Sequence, residues 1–124
     1  MMILDDSRFM QKILEDKIKH IDPKIQIEFF SHPLSFIETI KNSLSDSNSR
    51  QLIDALIIDY NMPEMNGLEV LEIVRKNSAF DHCKFLLLSA SSKFSSVEGF
   101  SFDRISFAIK PISDNDLKIF IDSI

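Results

Sequence analysis

The sequence predicts one α/β domain, with parallel strands joined by helices and packed in three layers. Three observations carry this. Short, wholly apolar runs, Ala55 to Ile58 and Phe85 to Leu88, suit strands covered on both faces. Between the runs lie segments whose apolar residues recur at helical spacing. The two patterns alternate along the whole chain, and strands that alternate with helices imply right-handed crossovers and a parallel sheet. At 124 residues the chain is long enough for one such domain, 1–124, and too short for two ordinary ones.

Met2 to Leu4 is the first apolar run, and Phe9, Met10, Ile13, Leu14, Ile18 and Ile21 follow it as a helical stripe. Ile25 to Phe30 begins by alternating apolar and polar residues, as a half-exposed strand does. Leu34, Ile37, Ile40 and Leu44 form a second helical stripe, and Ser45 to Ser49 reads as a solvated loop. After the strand at Ala55 to Ile58, Leu68, Leu71 and Val74 repeat every three residues, with Glu72 placed to pair with Lys76 one turn on. Phe85 to Leu88 is the fourth strand. The stretch Ser91 to Asp103, with five serines and Gly99, predicts a short, frayed or irregular helix. Ile105 to Ile109 is the last strand, and Leu117, Phe120, Ile121 and Ile124 share the last helical face. Ser113, three residues before Asp116, is placed to cap that helix.

Composition narrows the function. Hydrophobic residues make up 44% and charged residues 27%, which is globular rather than disordered. Fourteen basic residues stand against nineteen acidic ones, and the net charge of −5 comes with no basic cluster, which disfavours direct contact with nucleic acid. Cys83 is the only cysteine, so it forms no internal disulfide and builds no zinc site alone. The longest apolar runs fall short of the ~20 residues that span a bilayer, and no signal region opens the chain. A cytoplasmic setting without membrane insertion is expected. His20, His32 and His82 are scattered without ligand spacing and read as surface or loop residues.

The residues that follow each strand carry the chemistry. Strand one ends in Asp5-Asp6, strand three in Asp59, strand four in Ser89 and strand five in Lys110-Pro111. In a parallel sheet those ends share one edge, where ligands of open α/β sheets bind. Three carboxylates, a hydroxyl and an ammonium therefore converge. Crowded carboxylates repel, and a hard divalent cation such as Mg2+, which prefers oxygen ligands, relieves the repulsion. Lys110, Ser89 and backbone N–H groups after strand three supply donors for phosphoryl oxygens. The set suits phosphoryl transfer, which depends on positioning and charge neutralisation, with an Asp carboxylate as nucleophile and an acyl phosphate as product.

These residues resemble those of response-regulator receiver domains of two-component signalling. The matching pieces are D-D at Asp5-Asp6, L-I-I-D-Y-N-M-P-E-M-N-G from Leu56 to Gly67, S-A at Ser89-Ala90 and K-P at Lys110-Pro111. The resemblance spans the chain in order, and its D-x-N-M-P-x-M-N-G run is the most specific part. It implies a doubly wound, flavodoxin-like sheet of order 2-1-3-4-5 with helices on both faces; the same order is known from a member of this family. It further implies that Asp59 is the phosphoacceptor, that Asp6 binds Mg2+ directly and Asp5 through water, and that Asn61 lends its backbone carbonyl to the metal. Ser89 and Lys110 then hold the phosphoryl group, and Phe107 is the aromatic whose rotamer follows phosphorylation. Pro63 and Gly67 shape the loop after the acceptor, and the Lys110-Pro111 bond is expected to be cis. The implied partners are a histidine kinase or phosphotransfer protein as donor and a downstream protein or output domain, with room for a homodimer.

Plainer readings stand beside these. Asp5, Asp6 and Ser7 also suit a helix cap, Asp59 a turn, Ser89 a turn hydroxyl, Lys110 a surface lysine and Phe107 the core. Phe94, Phe100 and Phe102 cluster in the weakest helix, where an apolar patch suggests a partner surface. Asp103 stands where receivers commonly place the glycine that ends this helix in a left-handed turn. The chain starts four residues before Asp5 and stops inside the last helical pattern, as a receiver trimmed from a longer protein does. Two rival functions are a pseudo-receiver that binds a partner without phosphorylation and a phosphatase of the haloacid-dehalogenase type. The intact acidic set argues against the first. The second wants an acid two residues after the nucleophile, where this chain has Asn61.

Overall fold

Parallel pairing runs through every strand of the sheet. The computed structural model describes residues 1–43, 52–90 and 104–124. Its strands are β1 (Met2–Leu4), β2 (Glu28–Phe30), β3 (Ala55–Asp59), β4 (Lys84–Ser89) and β5 (Ile105–Ile109), in the order β2-β1-β3-β4-β5. The helices are α1 (Arg8–Ile21), α2 (Pro33–Ser43), α3 (Gly67–Val74) and α4 (Asp114–Asp122), with a single 3-10 turn at Ser78–Phe80. The segment Ser91 to Asp103, its three phenylalanines, Leu44 and the serine-rich loop 45–49 lie outside the described residues. No helix among the described residues is long and apolar enough to cross a membrane.

The strands are apolar on both faces because helices cover both. Successive strand residues point to opposite sides. Leu4, Leu56, Ile58, Phe85, Leu87 and Ile105 join one core with Phe36, Ile37 and Ile40 of α2 and with Leu68, Val70, Leu71 and Val74 of α3. Ile3, Ala55, Ile57, Leu86 and Leu88 join the other, with Leu14 and Ile18 of α1 and Leu117, Phe120 and Ile121 of α4. Cys83 is wholly buried, and desolvation pushes its thiol up to about 12, so it packs as a small apolar group.

Some expectations need correction at the edges of elements. Phe9 is 74% exposed and Leu34 52%, although both lie on the predicted stripes. Each sits in the first turn of its helix and off the buried face, which runs through Leu14 and Ile18 in α1 and through Pro33, Phe36, Ile37 and Ile40 in α2. Phe36 takes the buried place in α2, where its ring meets Phe30 edge-on at 4.8 Å. Ile124 is exposed beyond the end of α4. Strand β2 pairs only over Glu28–Phe30 rather than from Ile25. Helix α3 ends at Val74, so Lys76 lies beyond it and the Glu72–Lys76 pair is not made. Asp103 is outside the described residues, but the next residue, Arg104, is left-handed at φ 61°. Its backbone carbonyl accepts from the Phe85 N–H, and its guanidinium donates to the carbonyls of Phe80, Asp81 and Cys83. Those contacts hold an arginine in a conformation that L residues adopt at a cost.

Helix α3 approaches the sheet through Gly67. A Cβ at that position meets Leu87 Cδ1 at 2.6 Å, the Asp59 carbonyl oxygen at 2.8 Å and Tyr60 Cα at 3.0 Å. The Gly67 N–H also donates to the Tyr60 carbonyl at 3.0 Å. Two of the three obstacles are backbone and cannot swing aside. Gly67→Ala is therefore expected to destabilise the fold by about 1–3 kcal/mol, the range for overpacking, as measured by urea unfolding. A loss below about 0.5 kcal/mol counts against this close approach.

Candidate functional site

The same alternation that builds the two cores brings the polar groups together. Asp5 lies two residues after Ile3, Asp59 two after Ile57 and Lys110 two after Ala108, so each continues a row that faces α1 and α4. Ser89 and Phe107 fall on the opposite rows, and Phe107 is half-buried against the core beneath α2 and α3. The strand ends are in register: Asp59 pairs with Leu88, Ser89 pairs with Ile109, and the Lys110 N–H continues the ladder to the Ser89 carbonyl at 2.7 Å.

Asp5 is 1% exposed, Asp59 3% and Ser89 2%, which makes them the buried polar residues among those described. Lys110 Nζ lies 3.0 Å from Asp59 Oδ1 and 3.3 Å from Asp5 Oδ2. Asp5 Oδ1 also accepts the Ser7 N–H at 2.9 Å, and Asp59 Oδ1 the Asn61 N–H at 3.1 Å. Asp6 is exposed, but one oxygen from each of Asp5, Asp6 and Asp59 falls within 4.8 Å of the others. At that separation and an effective dielectric of 20, a buried carboxylate pair repels by roughly 3–4 kcal/mol.

The electrostatics follow from this crowding. Burial resists the charge on Asp59 most strongly; the hydrogen bond from Lys110 opposes that, and the nearby Asp5 charge adds to it. The Asp59 carboxyl therefore titrates above the ordinary aspartate value. Burial also works against the Lys110 ammonium, but the hydrogen bond to Asp59 and the charges of both carboxylates outweigh it, and its pKa lies above the ordinary lysine value. Lys110 stays charged, and two buried carboxylates share its one ammonium.

The loops around the site are locally specified. Ser7 caps α1 by accepting the Met10 N–H, and Ser113 caps α4 by accepting the Asp116 N–H. Asn66 and Glu69 form a reciprocal capping box at the start of α3. Between Asp59 and that cap the chain turns at Glu64, whose φ is 73°, with the Met65 N–H bonded to the Pro63 carbonyl at 2.8 Å. Pro63 and Asn61 are exposed, and the Lys110-Pro111 bond is cis, as expected. His20, His32 and His82 are exposed.

One contact was not anticipated. Gln11 reaches back from α1, and its Nε2 donates to the Asp5 carbonyl at 2.7 Å and to the Phe30 carbonyl at 3.2 Å. The available signal was a polar residue four before Glu15 and three before the buried Leu14, on the face that should be apolar.

The chain matches the family model for the response regulator receiver domain over residues 1–122. It is 25% identical over 119 residues to the chemotaxis protein CheY1 of Helicobacter pylori, which covers 95% of this chain and 90% of that protein. Among solved structures, a two-component response regulator from Cytophaga hutchinsonii superposes with a TM-score of 0.78 at 20% identity, covering 98% of this chain and 92% of the other. The response regulator protein TrrA of Thermotoga maritima, solved in complex with Mg2+ and BeF, does so with a TM-score of 0.72 at 23% identity, covering 98% and 95%.

The raised titration of Asp59 has a stability consequence. Below the ordinary aspartate range the group is protonated in both folded and unfolded chains, and its contribution is neutral. As the pH rises through the higher folded value, ionisation of Asp59 destabilises the fold. In chelator-treated buffer at pH 7.5, Asp59→Asn is expected to raise stability, because the cost of burying the charge and the repulsion from Asp5 are removed and together outweigh the lost bond to Lys110. The gain should shrink as the pH falls toward 4. Equal stabilities at pH 7.5, or a gain that grows on acidification, contradict this.

Proposed function

This chain belongs to the response regulator receiver domain family, and we propose that it is a phosphoacceptor whose single domain, 1–124, takes a phosphoryl group on Asp59. The observation that carries the reading is the pairing at the end of β3: a nearly buried carboxylate, 3.0 Å from a lysine, inside a trio of carboxylates. A purely structural aspartate gains nothing from two more carboxylates beside it.

The donor set is all oxygen and carries more negative charge than Lys110 offsets, which fits a hard divalent cation. Asp5, Asp6 and Asp59, with the Asn61 backbone carbonyl, would hold Mg2+, which when bound would supply positive charge to offset the carboxylates and the developing phosphoryl charge. That the Thermotoga maritima relative was solved in complex with Mg2+ and BeF supports a place for Mg2+ in this chain.

In the reaction, an Asp59 carboxylate oxygen attacks the phosphorus of a phosphohistidine on a kinase or phosphotransfer protein. The P–N bond breaks, its electron pair stays on the imidazole nitrogen, which takes up a proton from water, and an aspartyl phosphate forms. Lys110 leaves its salt bridge with Asp59 for a phosphoryl oxygen, and Ser89 donates to another. That exchange pulls on the ends of β4 and β5. Phe107, half-buried two residues before the end of β5, is the aromatic placed to repack in response. The altered surface is then read by a downstream protein or output domain.

Acetyl phosphate with Mg2+ should add one phosphoryl group, detected by intact mass, and the adduct should be labile to alkali. Asp59→Asn should lose the label by at least about a hundredfold, while Lys110→Ala should retain part of it. Stable labelling on serine or histidine, or label that survives in Asp59→Asn, overturns the assignment.

A further inference from the structure

We infer that Gln11 is a positioning residue for the acidic turn, and that its carboxamide sets the Mg2+ affinity by fixing the peptide between Asp5 and Asp6. The inference rests on the metal reading given above. Gln11 lies on the face of α1 that carries the wholly buried Leu14 and Ile18. Its Nε2 is 2.7 Å from the Asp5 carbonyl oxygen, 3.2 Å from the Phe30 carbonyl oxygen and 3.2 Å from Ser31 Oγ. One side-chain amide thus grips the exits of β1 and β2 together.

The other contacts of Asp5 show what Gln11 adds. The Asp5 N–H donates to the Phe30 carbonyl at 3.0 Å. Its Oδ1 accepts the Ser7 N–H, and its Oδ2 accepts Lys110. These fix the residue up to its Cα and its side chain. The Ser7 N–H bond already closes a turn across the following peptide, and Gln11 adds a hydrogen bond to that peptide's own oxygen. The Asp6 side chain hangs from the far end of the same peptide. Among the described residues no hydrogen bond or ion pair holds the exposed Asp6 carboxylate, so its reach toward the cluster is set by where the backbone places its Cα and by its own rotamers. A metal ligand held only through its backbone is as well placed as that backbone is rigid. The donor is also neutral: it orders the turn without competing with a cation for the carboxylates. Groups that orient metal ligands in this way typically change affinity ten- to a hundredfold when lost.

The test is a Mg2+ titration of the full chain followed by the fluorescence of Tyr60, the only tyrosine in a chain without tryptophan. Gln11→Met keeps the shape and removes the donor. Gln11→Glu removes the donor and adds a negative charge, which by Coulomb attraction alone tightens cation binding. Ile18→Val, in the buried face of the same helix, controls for loss of stability without contact to the turn. We expect the Mg2+ Kd to rise about tenfold in both Gln11 variants and to stay within about twofold of the parent in Ile18→Val. An unchanged Kd in Gln11→Met, or a lower one in Gln11→Glu, overturns the inference and leaves the metal site standing. Failure of the parent chain itself to bind Mg2+ removes both.

Discussion

Two buried carboxylates share one ammonium at the carboxyl edge of the sheet, and most of the structure is arranged around that imbalance. Asp5 and Asp59 sit at the ends of adjacent parallel strands, and Lys110 spans both from the far side of β4. The rows behind them, Ile3, Ile57 and Ala108, are apolar and covered by α1 and α4. Burial by that layer is what raises the titration of Asp59 and leaves the cluster short of positive charge. A sequence selected for stability alone has no reason to end three core rows in this way.

The frame holds the cluster in place. Helices α1, α3 and α4 all begin at the acidic edge, each with a side-chain cap: Ser7, Asn66 and Ser113. Helix α1 also ties down both sides of the site. Gln11 holds the carbonyl of Asp5, while Lys17 donates to the Ile112 carbonyl at 2.8 Å and pairs with Asp114 at 3.3 Å, two and four residues beyond Lys110. The turns that carry the acids and the lysine are thus anchored to one rigid element, and Gly67 lets α3 close against the third side.

Much of the fold was legible because the core is two-sided. Continuous apolar runs identified β3 and β4, and helical stripes identified the covering layers. The convergence of Asp5, Asp6, Asp59 and Lys110 was legible from parallel topology alone, since the residues after each strand lie on the shared edge, while Ser89 ends its strand on the opposite row. Periodicity marks a stripe but not where the buried face is centred within it, which is why Phe9 and Leu34 belong to the stripes by spacing and yet lie exposed, off the faces of Leu14 and Ile18 and of Phe36, Ile37 and Ile40. Gln11 was overlooked for a different reason. Its role depends on a bond between helix and strand end that no motif encodes, and only its polar side chain on an apolar face pointed to it. The left-handed Arg104 was likewise beyond local inference, because contacts more than twenty residues away hold its guanidinium.

The central claim is that the charge deficit at Asp5, Asp6 and Asp59 couples a divalent cation to a phosphoryl group on Asp59. Fluorine NMR of the chain with beryllofluoride, recorded with and without Mg2+, tests it directly. The account predicts bound fluoride resonances only when Mg2+ is present, and none in Asp59→Asn under either condition. Bound resonances that persist without Mg2+, or that survive the loss of Asp59, would contradict it.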